Sequence, residues 1–194
     1  MDILKKYVVF NFSKRTDKIK YIVIHDTGNK GVGADALAHF NYFNGANRDA
    51  SAHYFVDDKR VVEIIEPLNS RAWHCGDGKG KYGITNDNSV GIEMCINVDG
   101  DFNKTFNKTV ELTKLLMKRF NVDADHVVRH YDASRKQCPG SLFQNHYGYS
   151  WDNFKNRIKD KNTLYRVCIG SYADIENARK KAKEVGGFIV EYNK

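Results

Sequence analysis

The residues of this 194-residue chain that are best suited to chemistry lie in one stretch, Arg129 to Gly140. It contains an imidazole at His130, a thiol at Cys138 and a cation at Lys136, two residues before the thiol. Imidazole nitrogen and thiolate sulfur are ligands that zinc prefers in proteins. Because His130 and Cys138 are eight residues apart, a polar loop between them can fold both onto one ion. The stretch is therefore a candidate metal site.

A third metal ligand is available far upstream, at His25. This residue ends a short apolar run that starts at Tyr21, and the β-branched residues of the run predict a buried strand. Functional sites tend to lie where a strand enters a loop, although an isolated histidine there is more often structural. With His130 and Cys138, His25 would supply the three protein ligands of a catalytic zinc site, which leaves one position open for water.

A carboxylate for such a site is available in the predicted strand Ser89 to Ile96. Its residues alternate, with Val90, Ile92, Met94 and Ile96 on one face and Gly91, Glu93 and Cys95 on the other. A glutamate is rarely buried without a partner or a function, but an edge strand would let Glu93 face water. If it is buried, Glu93 can act as general base toward a zinc-activated water, while Lys136 stabilises the oxyanion. These residue types therefore allow metal-assisted amide hydrolysis.

The composition fits one packed domain with a small appendage. Hydrophobic residues make up 41% of the chain and aromatic residues 12%, which argues against wholesale disorder. The four cysteines, Cys75, Cys95, Cys138 and Cys168, show no paired spacing. No disulfide framework is therefore expected, and Cys95 and Cys168 are predicted to be small core residues.

The net charge of +7 and the pI of about 9.1 favour polyanionic partners. The charge alone does not choose among nucleic acid, anionic membranes and anionic cell-wall polymers, but no nucleic-acid-binding motif is present. No apolar run approaches the roughly 20 residues of a membrane span, so stable membrane insertion is not expected. The first residues lack the apolar core of a signal peptide, which predicts synthesis in a cytoplasm.

Further patterns predict the elements around the candidate site. Helices are expected over 34–44, over 105–120 and around Trp151, a β-hairpin over 52–56 and 60–65, and a short strand over 126–130. Residues 71–88 form a long polar, glycine-rich loop that contains Trp73 and His74. Both side chains suit the wall of a ligand groove, but the tryptophan could equally anchor the loop to the core.

The C-terminal residues 163–194 are predicted to form a separate unit from the main domain, residues 1–160. A strand over 164–169, a helix that starts in a capping box at Ser171 to Asp174 and stops at Gly186, and a strand over 188–190 make a β-α-β unit. About 30 residues cannot enclose a core of their own. The unit must therefore dock on the main domain or pair with another copy.

Five blocks of this sequence, in this order, resemble the amidase-2 family. They are Tyr21 to Thr27, Ser51 to Asp57, Ala72 to Gly78, Ser89 to Glu93, and Arg129 to Asp132 with Lys136 to Gly140. Members of this family are zinc N-acetylmuramoyl-L-alanine amidases. They are related to peptidoglycan recognition proteins and are often found as phage endolysins of Gram-positive hosts. The resemblance covers roughly residues 1–160.

The resemblance implies an α/β fold, with a central mixed β-sheet flanked by helices and Zn²⁺ in a surface groove. It implies hydrolysis of the amide between the lactyl group of N-acetylmuramic acid and the L-alanine of the stem peptide in peptidoglycan. The matching positions are His25, His130 and Cys138 for the zinc ligands, Glu93 for the catalytic glutamate and Lys136 for the catalytic lysine. Trp73 and His74 are expected to bind substrate. Some relatives carry a tyrosine near the zinc, in the block that here contains His53 and Tyr54.

The main alternative to this interpretation concerns catalysis. A non-catalytic relative would recognise peptidoglycan without cleaving it, although such relatives often lack the cysteine ligand that is present here. The missing signal peptide favours a phage-type endolysin that is made in the host cytoplasm and acts on the wall after release.

The tail resembles half of a SPOR repeat, whose full version binds glycan strands. Two chains would pair their halves in a homodimer, or the tail would dock within its own chain and only stabilise it.

Overall fold

The computed structural model describes residues 1–143, 148–159 and 172–186. The chain divides into two compact units, residues 1–161 and 162–194. The strands of the first unit are β1 Leu4–Lys5, β2 Phe12–Lys14, β3 Tyr21–Asp26, β4 Tyr54–Val56, β5 Val61–Glu63, β6 Ser70–Ala72, β7 Ser89–Met94 and β8 Val127–Arg129. Its α-helices are α1 Ala36–Gly45, α2 Phe102–Phe120, α3 His130–Ser134, α4 Gly140–Phe143 and α5 Trp151–Lys159. The second unit contains α6 Ile175–Val185.

Six strands form a mixed sheet in the order β1-β5-β4-β7-β3-β8. The strands β4, β7, β3 and β8 run parallel to one another. The predicted hairpin is confirmed as the antiparallel pair of β4 and β5, and β2 and β6 form a second, two-stranded sheet. The expected α/β fold, a central mixed sheet flanked by helices, is confirmed.

The two faces of the large sheet pack against different helices. One core cluster joins sheet residues to α2 and α5 through Ile22, Ile24, Val90, Ile92, Met94, Phe106, Leu116, Phe154 and Ile158. A second cluster joins the sheet to α1 through Phe55, Val62, Cys95, Ala36 and Phe40. Because side chains alternate along a strand, His25 and Glu93 lie on the face opposite α2 and α5. The core on the α2 face therefore stabilises the sheet without filling the site.

Helix α2 begins at Phe102, earlier than the predicted start at Thr105. The Asp101 side chain accepts a hydrogen bond from the Lys104 backbone N at 3.2 Å and caps the helix. The added turn buries Phe102, which is 6% exposed. The closing helix around Trp151 is confirmed as α5.

The stretch that was predicted as a polar loop after β8 begins with a short helix. The Asp132 carboxylate accepts a hydrogen bond from the Arg129 backbone N at 2.9 Å and also pairs with the Arg129 guanidinium. This contact satisfies the backbone N–H of Arg129, the residue that precedes α3, and fixes the start of the helix. Arg135, with φ of 73°, ends the helix. The loop prediction is therefore wrong for residues 130–134.

In the second unit, α6 starts later than the predicted capping box. Its N-cap is Asp174, whose carboxylate accepts from the backbone N of Glu176 and Asn177 at 2.7 and 3.0 Å. The prediction of Ser171 as the cap is therefore wrong, while the stop at Gly186 is confirmed. The predicted strands over 164–169 and 188–190 lie outside the described residues. No helix in the described ranges has the length and apolar character needed to cross a membrane.

Candidate metal centre

The register of the sheet brings the predicted site residues side by side. His25 on β3 pairs with Glu93 on β7. On the other side of β3, Ile24 pairs with Arg129 at the end of β8, so the next residue, His130, lies beside His25. Parallel strands in register present neighbouring side chains on the same face. Three residues far apart in sequence therefore meet at the carboxyl ends of adjacent strands.

The turn that follows α3 brings Cys138 next to His25, Glu93 and His130. The Tyr131 backbone N donates to the Cys138 carbonyl at 3.0 Å. The Ser141 backbone N donates to the Asp26 carboxylate at 2.6 Å. Because Asp26 directly follows His25 on β3, this second hydrogen bond ties the start of α4 to the strand that carries the first candidate ligand. The thiol is thereby held against the imidazoles.

The three candidate ligands have the spacing of one metal site. The donor atoms of His25, His130 and Cys138 all lie within 4.8 Å of one another, and all three residues are buried. Cys138 Sγ is 3.8 Å from His25 Nδ1, and the two imidazole centroids are 4.6 Å apart. Ligand atoms around a tetrahedral zinc ion with bonds of about 2.0–2.3 Å are separated by roughly 3.3–3.8 Å. The donor set therefore fits one zinc ion after shifts of about 1 Å at most.

The protonation of His25 suits a cation, whereas the Cys138 thiol must lose its proton to bind one. Burial, followed by the neighbouring His74 and His130, holds the pKa of His25 well below its usual value, so its imidazole is neutral and offers a lone pair. Burial, followed by the charge of Glu93, raises the pKa of the Cys138 thiol. A cation in the pocket would act in the opposite direction on Cys138 because it stabilises the thiolate.

Each candidate histidine ligand has one ring nitrogen engaged by a neighbour. His130 Nε2 lies 2.8 Å from the Asp77 carboxylate, and His25 Nε2 lies 3.1 Å from His74 Nδ1. In both rings Nδ1 is then left for a metal. Such contacts orient metal-binding histidines. Asp77 was not predicted, and nothing in its spacing from His130 indicates this contact, although it lies in one of the five resembling blocks.

Glu93 lies beside the candidate ligands in the interior of the sheet. Its strand, β7, lies between β4 and β3, so the edge-strand alternative is wrong. Oε1 is 3.9 Å from His25 Nδ1, and Oε2 is buried without a hydrogen-bond partner among the described residues. Burial raises the pKa of Glu93 well above its usual value, the charge of Asp26 raises it further, and Lys136 opposes both. A buried carboxylate oxygen without a partner is typical of a functional group.

All of the predicted site residues line one pocket of about 200 Å³. They are His25, Trp73, His74, Glu93, His130, Lys136 and Cys138. The same pocket is bordered by His39 and Phe55, whose rings stack with centroids 5.1 Å apart. A neighbouring pocket of about 380 Å³ is lined by Trp73, Arg71 and Lys79 among others. Trp73 therefore borders both cavities.

The contacts of Trp73 fit both of its predicted roles, the wall of a groove and the anchor of a loop. Its indole Nε1 donates to Ser13 Oγ on β2 at 2.9 Å, which anchors the loop, while the ring borders both pockets. Tyr54 belongs to the core on the α2 face and donates to Glu63 at 2.8 Å. His53 is fully buried and accepts from the Gly91 backbone N at 3.0 Å. Within the described ranges, neither of these two residues lines the pocket around His25.

The chain is similar to known proteins in both sequence and structure. A family model described as N-acetylmuramoyl-L-alanine amidase, Amidase_2, matches residues 15–141. The chain is 42% identical over 138 residues to N-acetylmuramoyl-L-alanine amidase XlyA of Bacillus subtilis (strain 168), covering 71% of this chain and 43% of XlyA. The structure of the catalytic domain of XlyA matches with a TM-score of 0.70 and 37% identity, covering 81% of this chain and 99% of that one. A mutant endolysin from Bacillus subtilis matches with a TM-score of 0.72 and 39% identity, covering 81% and 98%.

The matched regions are similar in extent in these comparisons. The chain spans about half the length of the curated relatives it matches, 43% of the first and 58% of the second. The solved structures that it covers almost completely include an isolated catalytic domain. Residues 15–141 contain every residue that was predicted to bind metal, transfer protons or contact substrate.

Proposed function

The chain belongs to the Amidase_2 family of N-acetylmuramoyl-L-alanine amidases, and on this premise we propose that it is a zinc-dependent peptidoglycan hydrolase. The bond it cleaves is the amide between N-acetylmuramic acid and the L-alanine of the stem peptide. One observation carries the proposal: three metal donors, His25, His130 and Cys138, share a pocket with the carboxylate of Glu93, whose Oε2 atom is buried. Two histidines and a cysteine with a fourth position left open form a catalytic donor set.

His25, His130 and Cys138 would hold the zinc ion. When bound, zinc supplies a Lewis acid and lowers the pKa of water to about 7. The protein surrounds these donors with little solvent, since His25 is 2% exposed, His130 4% and Cys138 7%. Low exposure strengthens every charge interaction in the site.

Glu93 is assigned as the general base. Oε2 would accept a proton from the attacking water and later deliver it to the nitrogen of L-alanine, so that the amine leaves neutral as the bond from carbonyl carbon to nitrogen breaks. A carboxyl group whose pKa is raised by burial can hold that proton between the two steps. The buried Oε2 has no hydrogen-bond partner among the described residues, and Oε1 of the same carboxylate lies 3.9 Å from His25 Nδ1, which supports this assignment.

Lys136 is assigned to charge stabilisation. It borders the pocket from the exposed turn that precedes Cys138, and its effect on the pKa of Glu93 reflects a positive charge close to the reacting groups. Negative charge develops on the carbonyl oxygen as water attacks. An ammonium group near that oxygen stabilises the charge in the transition state.

Product analysis on purified cell wall tests this proposal. The protein should release free amino groups on L-alanine and should create no new reducing sugar ends. A recognition module that binds muropeptide without cleaving it would release neither. New reducing ends, or new amino groups on a different amino acid, would contradict the assigned bond.

We predict that Trp73→Ala weakens substrate binding. The loss of an aromatic wall between the two pockets should raise KM about 10-fold with little effect on kcat, because aromatic side chains contribute much of the binding energy in such sites. Steady-state kinetics on soluble muropeptides measure this. Ser13→Ala is the matched control, since it removes only the hydrogen bond to the indole. If Ser13→Ala raises KM as much as Trp73→Ala does, the ring acts as an anchor and does not contact substrate.

We also propose that the protein works on the wall of a Gram-positive bacterium, as a phage-type endolysin does. Its similarity to an endolysin from Bacillus subtilis supports this setting. The net charge of +7 would attract the chain to anionic wall polymers. Peptidoglycan is then the macromolecular substrate of the proposed reaction.

Pairing of two C-terminal tails remains a proposal. The apolar residues Ile175 and Val185 of α6 are 44% and 45% exposed, and α6 contains no buried residue, which leaves apolar surface that a second copy would cover. We predict that the full chain elutes as a dimer in gel filtration and that a chain ending at residue 162 elutes as a monomer. Monomers in both cases would show that the tail does not pair.

A further inference from the structure

We propose that His74 is a positioning residue that determines which ring nitrogen of His25 faces the metal. The inference rests on the proposed zinc function, because it concerns a ligand of the ion. The hydrogen-bond chain that carries it is nevertheless complete in the protein alone. It starts at a backbone carbonyl and ends at His25 Nδ1.

The first hydrogen bonds of this series, those of Ser89, have a fixed direction. The carbonyl oxygen of Thr85 can only accept, and Ser89 Oγ donates to it. The single hydroxyl proton of Ser89 is thereby used. Ser89 Oγ lies 3.2 Å from His74 Nε2, and with its proton committed it can only accept there. His74 must therefore carry its ring proton on Nε2.

The hydrogen bond between His74 and His25 then fixes the tautomer of His25, the proposed metal ligand. A neutral imidazole has one N–H, so His74 Nδ1 is an acceptor for the proton on His25 Nε2, 3.1 Å away. The lone pair of His25 is then on Nδ1, the nitrogen that lies 3.8 Å from Cys138 Sγ. The opposite tautomer would direct an N–H at the other ligands and prevent coordination.

The position of the His74 ring is built into the sheet. A Cβ atom on Gly91 would lie 2.7 Å from His74 Cγ, so the ring occupies space that only a glycine in the middle of β7 leaves open. The Asn86 side chain accepts from the backbone N of His74 and of Cys75 at 3.0 and 2.8 Å. His74 is 8% exposed. The hydrogen bond of its backbone N and the contacts of its ring therefore fix the orientation of His74.

These contacts give His74 a function other than the predicted one in the groove. Both of its ring nitrogens bind protein groups, so a hydrogen bond from the ring to substrate would have to break one of them. His25 and His74 also meet edge to face, with centroids 5.1 Å apart. His74 acts through His25 and does not need to touch the reacting atoms.

Zinc affinity of two variants tests the inference. In His74→Asn, the side-chain oxygen lies near the position of Nδ1 and retains an acceptor for His25. In His74→Phe, the ring shape is retained and the acceptor is lost. Dissociation constants for zinc come from competition with a chromophoric chelator. We expect His74→Phe to bind zinc about 10–100-fold more weakly than the original protein, and His74→Asn to lose about 3-fold or less.

Unfolding of the metal-free variants separates this role from simple packing. Asparagine leaves a larger void than phenylalanine in the same place, so His74→Asn should be the less stable of the two. A residue that only fills space would therefore give the reverse order of zinc affinity. Weaker zinc binding by His74→Asn than by His74→Phe, or unchanged binding by His74→Phe, would overturn the inference.

The tautomer itself can be observed without metal. Long-range proton–nitrogen NMR spectra of the histidine rings should show His25 protonated on Nε2 in the original protein and a mixture in His74→Phe. A proton on Nδ1 of His25 in the original protein would overturn the inference whether or not zinc binds. If the original protein shows the expected tautomer but binds no zinc, the proposed function fails while the orientation by His74 stands.

Discussion

Replacing Cys138 with serine is expected to remove zinc and lytic activity together. A serine hydroxyl does not ionise near neutral pH and is a poor zinc ligand, whereas thiolate is a preferred one. Changes to groups that merely contact zinc ligands cost about 10–100-fold in affinity, so the loss of a direct ligand should cost at least about 100-fold. The stabilisation that zinc gives the fold should fall by about 2.7 kcal/mol for each such 100-fold loss.

The measurements for Cys138→Ser are zinc content, a turbidity-drop assay and unfolding with and without zinc. Cys95→Ser is the matched control, because Cys95 is also a free buried cysteine but belongs to the core beneath α1. It should retain the zinc stoichiometry of the original protein. Lysis by Cys138→Ser at the original rate would remove this residue from the site.

Replacing Glu93 with glutamine is expected to abolish most of the activity while zinc stays bound. Glutamine has nearly the same shape but cannot accept a proton from water, and general base catalysis contributes about 10²–10⁴-fold to rate. The fall should be in kcat, with KM little changed, since the carboxylate acts in the transition state. Single-turnover cleavage of a soluble muropeptide measures it.

The control for Glu93 is a carboxylate outside the pocket. Glu111 is exposed on α2, on the far side of the sheet from the site, so Glu111→Gln should leave rate and zinc content unchanged. Equal rates for Glu93→Gln and the original protein would show that another group takes the proton. A loss of zinc in Glu93→Gln would instead place Glu93 among the ligands.

The strands around the site could be predicted from sequence because their side-chain pattern has a clear period. In β7 the apolar residues Val90, Ile92 and Met94 alternate with Gly91 and Glu93, and the structure buries the first set against α2. The same pattern cannot show which strands are neighbours. The meeting of His25 with Glu93 depends on the pairing of β3 and β7, which connects residues far apart in the sequence.

The short helix α3 and the contacts of His74 were not predictable from periodicity. α3 has five residues and depends on one side chain, Asp132, that caps its start. His74 lies in a loop without any repeat, and its position depends on the absence of a Cβ atom at Gly91 in a different element. A glycine in the middle of a strand is a recognised sign of close approach, but it does not identify what approaches.

Zinc K-edge X-ray absorption of the protein loaded with one equivalent of zinc tests the central claim most directly. The account predicts a four-coordinate ion with one sulfur at about 2.3 Å and two imidazole nitrogens at about 2.0–2.1 Å, the fourth position being filled by a light atom. In Cys138→Ser the sulfur shell should disappear. A zinc ion without sulfur in the original protein, or with oxygen ligands only, would contradict a site built from His25, His130 and Cys138.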